Sequence, residues 1–93
     1  MIVTFGDKDT EQLYITGKSR RYSSALCKVG LRKLDYLHAA SSLQDLRVPS
    51  GNCLEALKGD YKGFYSIRIN DQFRIIFKFA NSGAYDVRID DYH

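Results

Sequence analysis

Ninety-three residues, 44% hydrophobic and 27% charged, suit one domain spanning residues 1–93 around one core and exclude a disordered chain. No apolar run approaches the ~20 residues of a membrane span, and no basic stretch followed by an apolar one opens the chain, so a soluble cytoplasmic protein with no membrane partner is expected. The net charge of +3 is mild, but Lys18, Arg20, Arg21, Lys28, Arg32 and Lys33 crowd residues 17–34 without an acid, which reads either as a solvated helix face or as a surface attracted to phosphate.

Residues 1–5 are apolar and β-rich and predict a first or edge strand. Asp9 or Thr10 is the expected cap of a short helix that runs to Thr16 and stops at Gly17. Ser23 or Ser24 is the expected cap of a longer helix. Its stripe of Cys27, Gly30/Leu31, Leu34 and Leu37/His38 has helical spacing and faces the core, with His38 half-buried. Residues 41–49 form a connector, and Pro49-Ser50-Gly51-Asn52 is a turn cluster.

From Cys53 the apolar period becomes two. Residues 54–58 predict a strand and residues 59–63 a loop. Three further strands follow, in which Tyr65, Ile67 and Ile69, then Phe73, Ile75, Phe77 and Phe79, then Tyr85, Val87 and Ile89 share one face. The class is α+β, with two N-terminal helices covering the apolar face of an antiparallel meander. Tyr14, Tyr36, Tyr65 and Tyr85 fall on core-facing positions. Matching apolar faces across the first hairpin sets Ile69 opposite Phe73 and Arg68 opposite Arg74. A three-residue loop of Asn81-Ser82-Gly83 then sets Phe79 opposite Tyr85 and Arg74 opposite Asp90.

Arginines directly opposite on a sheet repel, so the fold needs an anion between them or an internal counter-ion, for which Asp90 and Asp86 are candidates. Lys58 and Lys78 join the same face. A cationic sheet face with two guanidinium groups suits a phosphodiester. By strict alternation Tyr92 follows Asp90 onto this face and His93 points away, but alternation is weak at a strand end, and a His at this rim is a candidate acid or base near neutral pH. Cys27 and Cys53 read as small buried hydrophobes rather than a disulfide. There is no zinc-type spacing, no carboxylate cluster and no phosphate-cradling glycine motif, so neither a metal nor another cofactor is expected.

The segments Asp45-Leu46-Arg47-Val48-Pro49, Glu55-Ala56-Leu57-Lys58-Gly59-Asp60, Tyr65 through Ile75 and Asp90-Asp91-Tyr92-His93 resemble the HigB-type toxins of the RelE/ParE superfamily, and the resemblance spans nearly the whole chain. It implies a RelE-like fold and a metal-independent endoribonuclease that cuts messenger RNA in the ribosomal A site. The chemistry implied is attack of the ribose 2′-hydroxyl on the adjacent phosphate. Matching residues are Arg74 for phosphate stabilisation, Lys58 before the loop, and Asp91, Tyr92 and His93 as the functional ending. Some HigB toxins carry a histidine just before Leu-Lys-Gly; here Leu54-Glu55-Ala56 stands there, and Glu55 becomes a candidate base. Arg68, Lys78, Lys62 and Arg88 are the candidate RNA-binding residues. The implied partners are the ribosome, its message and a HigA-type helix-turn-helix antitoxin, with operator DNA reached only through the antitoxin. Two alternatives are a ParE-like gyrase inhibitor and a non-catalytic RNA- or antitoxin-binding module of the same fold.

Overall fold

Helix α1 (Lys8–Thr16) starts at Asp7, whose extended backbone lets Oδ1 accept the Thr10 amide at 2.8 Å in this computed structural model, which describes residues 1–91. The expected caps Asp9 and Thr10 lie inside the helix instead. Asp9 sits in the first turn, where a carboxylate complements the helix dipole, and the buried Thr10 hydroxyl is occupied in accepting the Ile89 amide at 2.9 Å. Gly17 ends α1 in the left-handed conformation (φ 77°) and returns its amide to the Leu13 carbonyl. Ser23 caps α2 (Ser24–Ala39) through the Leu26 amide. Short 3₁₀ turns, Leu43–Arg47 and Ser50–Asn52, make up the connector.

Four antiparallel strands follow in the spatial order β1-β2-β3-β4: Glu55–Ala56, Tyr65–Arg68, Phe73–Ala80 and Gly83–Asp91. β1 is shorter than the expected 54–58. Cys53 enters it in a left-handed conformation (φ 47°), and a 3₁₀ turn at Gly59–Tyr61 follows it closely. On the inner face Ile67, Ile75, Phe77, Val87 and Ile89 form one core with Leu13, Leu26, Leu34 and Leu37 of the helices. Each such side chain contributes roughly 1.5–3 kcal/mol on full burial.

The first hairpin has the expected register, with Arg68 opposite Arg74 and the Ile69 amide bonded to the Phe73 carbonyl. The second keeps it at one end, where Arg74 faces Asp90 and Ile75 faces Ile89, and loses it at the other. There Lys78 faces Tyr85, Phe79 faces Ala84 and Ala80 faces Gly83. The turn is Asn81-Ser82, both at positive φ (51° and 63°), and Gly83 belongs to the strand. A bulge between Ile76 and Lys78 absorbs the difference, with Asp86 at φ 54°. Tyr85 therefore leaves the core for the outer face, and Ala84 takes an inner position.

The expected N-terminal strand exists as two isolated parallel bridges to β4, Ile2 to Ala84 and Phe5 to Val87. The bulge breaks the ladder between them, where the Asp86 amide turns to the Thr4 hydroxyl at 2.8 Å. Tyr36 and His38 are both exposed; His38 Nδ1 nevertheless accepts the Ile2 amide at 3.1 Å and ties this segment to α2. Because Ser82 is a non-glycine residue at positive φ, Ser82→Gly is expected to raise stability by about 0.5–1 kcal/mol in urea denaturation.

The outer face departs from the expected polar surface. Ile76 and Ser66, both on it, are fully buried. The 59–64 loop covers this part. The Phe64 ring carries the Lys78 ammonium at 4.9 Å, and the Tyr61 and Phe64 rings carry the Arg88 guanidinium at 5.4 and 6.0 Å. No helix among the described residues is long and apolar enough to cross a membrane.

Candidate active site

Strand register arranges the outer face in rows. One row is Arg68, Arg74 and Asp90; the next is Glu55, Ser66, Ile76 and Arg88; the third holds Lys78 and Tyr85. Like-charge repulsion between Arg68 and Arg74 is relieved by turning the two guanidinium groups apart. Arg68 Nη2 pairs with Asp71 in the hairpin loop. Arg74 turns toward β1, where Nε donates to Ser66 Oγ at 2.7 Å and Nη2 to the Cys53 carbonyl at 2.6 Å.

Both acceptors of Arg74 are neutral. The expected counter-ion Asp90 is engaged by Arg88 Nε at 3.7 Å and by the Tyr61 hydroxyl at 3.3 Å, and Asp86 pairs with Lys78 at 3.7 Å. Arg74 thus forms no ion pair among the described residues, and two of its N–H groups are used to fix the plane of its fork. A half-buried guanidinium held rigid by neutral acceptors keeps its charge for an anion that arrives from outside.

Glu55 and Lys58 are exposed and, with Ala56 and Leu57, line a hollow of about 400 Å³ beside this face. Lys62 is exposed on the loop. Lys78 and Arg88 lie on the face but against aromatic rings and carboxylates. Asp91 pairs in register with Phe73, so it belongs to the opposite side of β4 from Asp90, where it accepts Gln72 Nε2 at 3.1 Å. Tyr92 and His93 lie outside the described residues. A larger hollow, about 550 Å³, opens on the helical side between Gly17, Tyr22, Cys27 and Leu31, away from Arg74. No three His, Cys, Asp or Glu side chains among the described residues group as a metal site would require.

Several parts of this arrangement were not among the residues singled out from sequence. Ser66 is one, and the Cys53 carbonyl is another. Cys53 has an exposed free thiol, not the buried one expected; the burial expected of both cysteines holds for Cys27 alone. Lys33, counted in the basic run, is buried: its ammonium donates to Asn52 Oδ1 at 2.6 Å and lies 5.7 Å from the Tyr36 ring. Burial, and then the positive charges of Arg32 and Arg68, hold its pKa below the ordinary lysine value. Alternation of Ser66 with Ile67 was the one available hint for the serine.

Residues 3–93 match the family model described as the RelE-like toxin of the type II toxin–antitoxin system HigB. The chain is 41% identical over 91 residues to the Vibrio cholerae protein Toxin HigB-1, covering 97% of this chain and 96% of that one. It is 45% identical over 40 residues to Endoribonuclease HigB of Proteus vulgaris, 43% of this chain and 44% of that one. Among solved structures, the heterotetrameric YoeB-YefM toxin–antitoxin complex of Staphylococcus aureus contains a similar fold, with a TM-score of 0.61 at 16% identity over 100% of this chain and 98% of that one.

Proposed function

Because the chain belongs to the HigB-like family of RelE-like toxins from type II toxin–antitoxin systems, we propose that it is an endoribonuclease that cuts messenger RNA in the ribosomal A site and is neutralised by a HigA-type helix-turn-helix antitoxin. The ribonuclease reading draws on the relative named an endoribonuclease, and the antitoxin on the family description and on the complexes in which the fold is found. The single observation that supports it in this molecule is the guanidinium of Arg74 on the outer face, fixed by two neutral acceptors and in no ion pair among the described residues.

In the proposed reaction the ribose 2′-oxygen attacks the neighbouring phosphorus while the 5′-oxygen leaves. The products are a 2′,3′-cyclic phosphate and a 5′-hydroxyl. Negative charge grows on the non-bridging oxygens, and Arg74 donates to them through the N–H groups that Ser66 and Cys53 leave unused. Glu55, in the adjacent row, takes the 2′-hydroxyl proton. His93 returns a proton to the leaving 5′-oxygen, and Tyr92 stacks on or orients the base. Asp91 is assigned to the same functional ending. Lys58, Arg68, Lys62, Lys78 and Arg88 supply positive potential along the strand of RNA. The scheme runs on side chains and invokes no metal.

The test is primer extension on a message bound to ribosomes, with and without a 2′-deoxy substitution at the scissile ribose. Cleavage is expected only on the ribosome, with a 2′,3′-cyclic end, and the deoxy substitution is expected to abolish it. Growth arrest without RNA cleavage, accompanied by inhibited gyrase, would favour the ParE-like alternative. Antitoxin binding with neither activity would favour a non-catalytic module.

A further inference from the structure

Lys33 is a cation buried on α2, 6% exposed, and its hydrogen-bond partner is an amide rather than a carboxylate. No ion pair among the described residues includes it. Burying an ammonium without a carboxylate partner is unfavourable, and the hydrogen bond to Asn52 offsets part of that cost. Asn52 is fully buried. With Oδ1 bound to Lys33, the Asn52 amide nitrogen donates to the carbonyls of Leu46 at 3.1 Å and Val48 at 3.4 Å. One side chain therefore pins both 3₁₀ turns of the connector to the helix layer.

The next residue is Cys53. Its amide closes the Ser50–Asn52 turn on the Ser50 carbonyl at 3.1 Å, and its backbone is left-handed, with φ 47° and ψ 53°. A residue with a Cβ adopts that conformation at a cost of about 1–2 kcal/mol, so it persists where its surroundings enforce it. The consequence is a carbonyl aimed at Arg74 Nη2, 2.6 Å away. A continuous path thus runs from the Lys33 ammonium through Asn52 and the Cys53 backbone to the guanidinium.

We infer that Lys33 is a positioning residue for Arg74: through Asn52 it fixes the Cys53 carbonyl that, with Ser66, sets the plane of the guanidinium fork. The inference rests on the reading of Arg74 as the group that meets the phosphate. Lys33 touches no substrate in this scheme. Its loss loosens one of the two hydrogen bonds that hold Arg74, and small misplacements of a catalytic group are costly.

The experiment is a double-mutant cycle of Lys33→Met and Arg74→Ala, read as single-turnover cleavage on programmed ribosomes. Lys33→Met is expected to lower the maximal rate about tenfold and to leave the half-saturating toxin concentration within about twofold. In the Arg74→Ala background it is expected to add nothing, because the group it positions is gone. A wild-type maximal rate for Lys33→Met overturns the inference, as does a full tenfold loss repeated in the Arg74→Ala background. Lys33→Gln, a polar truncation, runs the same cycle if the Met variant does not fold. A second readout needs no activity: hydrogen exchange at Arg74 Nη2, the group held by the Cys53 carbonyl, is expected by NMR to quicken about tenfold in Lys33→Met, and an unchanged rate overturns the inference. Should Arg74→Ala itself cleave normally, the catalytic reading of Arg74 fails, while the exchange measurement still decides whether Lys33 positions it.

Discussion

Arg74→Ala is expected to slow cleavage on the ribosome by ~10²–10³-fold, the loss typical of one preorganised transition-state donor. The size follows from how the side chain is held. Ser66 and the Cys53 carbonyl fix the fork before substrate arrives, and no carboxylate among the ion pairs of the described residues competes for its charge. The alanine variant also strips a donor from the buried Ser66 hydroxyl, so a loss of about 1–3 kcal/mol in urea denaturation is expected alongside. That loss leaves most molecules folded, and circular dichroism at the assay temperature separates it from the catalytic effect. Arg74→Lys should recover little, because an ammonium cannot span Ser66 and Cys53 in one plane while presenting further N–H groups. Wild-type cleavage and growth arrest by Arg74→Ala would remove Arg74 from the mechanism.

The second large effect is expected from Tyr92→Ala combined with His93→Ala. Growth arrest and cleavage should be lost, while melting temperature and antitoxin pull-down stay near wild type. The stability half of the expectation comes from the core: the β4 residues that are buried in it are Ala84, Val87 and Ile89, all before this pair. The catalytic half comes from chemistry, since an imidazole near neutral pH is the most suitable donor for a leaving 5′-oxygen. An unfolded double variant would make the pair structural. A folded and toxic one would move the acid elsewhere, with Lys58 and Glu55 the next residues to replace.

Alternation made the first hairpin legible because Tyr65 to Ile69 and Phe73 to Phe79 each keep one apolar face without interruption, and a slip of one residue would bury arginines. The second hairpin was legible only at its far end. Asn81-Ser82-Gly83 contains a glycine where a three-residue loop wants one, yet the chain turns in two residues and repairs the register at Asp86, one of several Asp residues in the chain that tolerate a left-handed backbone equally. The face carrying Arg68 and Arg74 was readable because side-chain direction follows strand period. What holds Arg74 was not. One of its acceptors is a main-chain carbonyl, which every residue has, and the other is a serine in an otherwise ordinary strand position. Lys33 was hidden for a related reason: on a helix with cations at Lys28 and Arg32, composition does not distinguish the one that turns inward.

The pairing of residues 1–6 with β4 has a consequence for synthesis. The Val3 amide bonds the Ala84 carbonyl, the Gly6 amide bonds the Val87 carbonyl, and Thr10 receives the Ile89 amide from 79 positions away. Residues 1–10 therefore wait for β4 before the sheet edge and helix α1 are secured. Contacts of such long sequence separation form late and slow folding. In this topology the fold closes only when β4 has been made and has paired with residues 1–6.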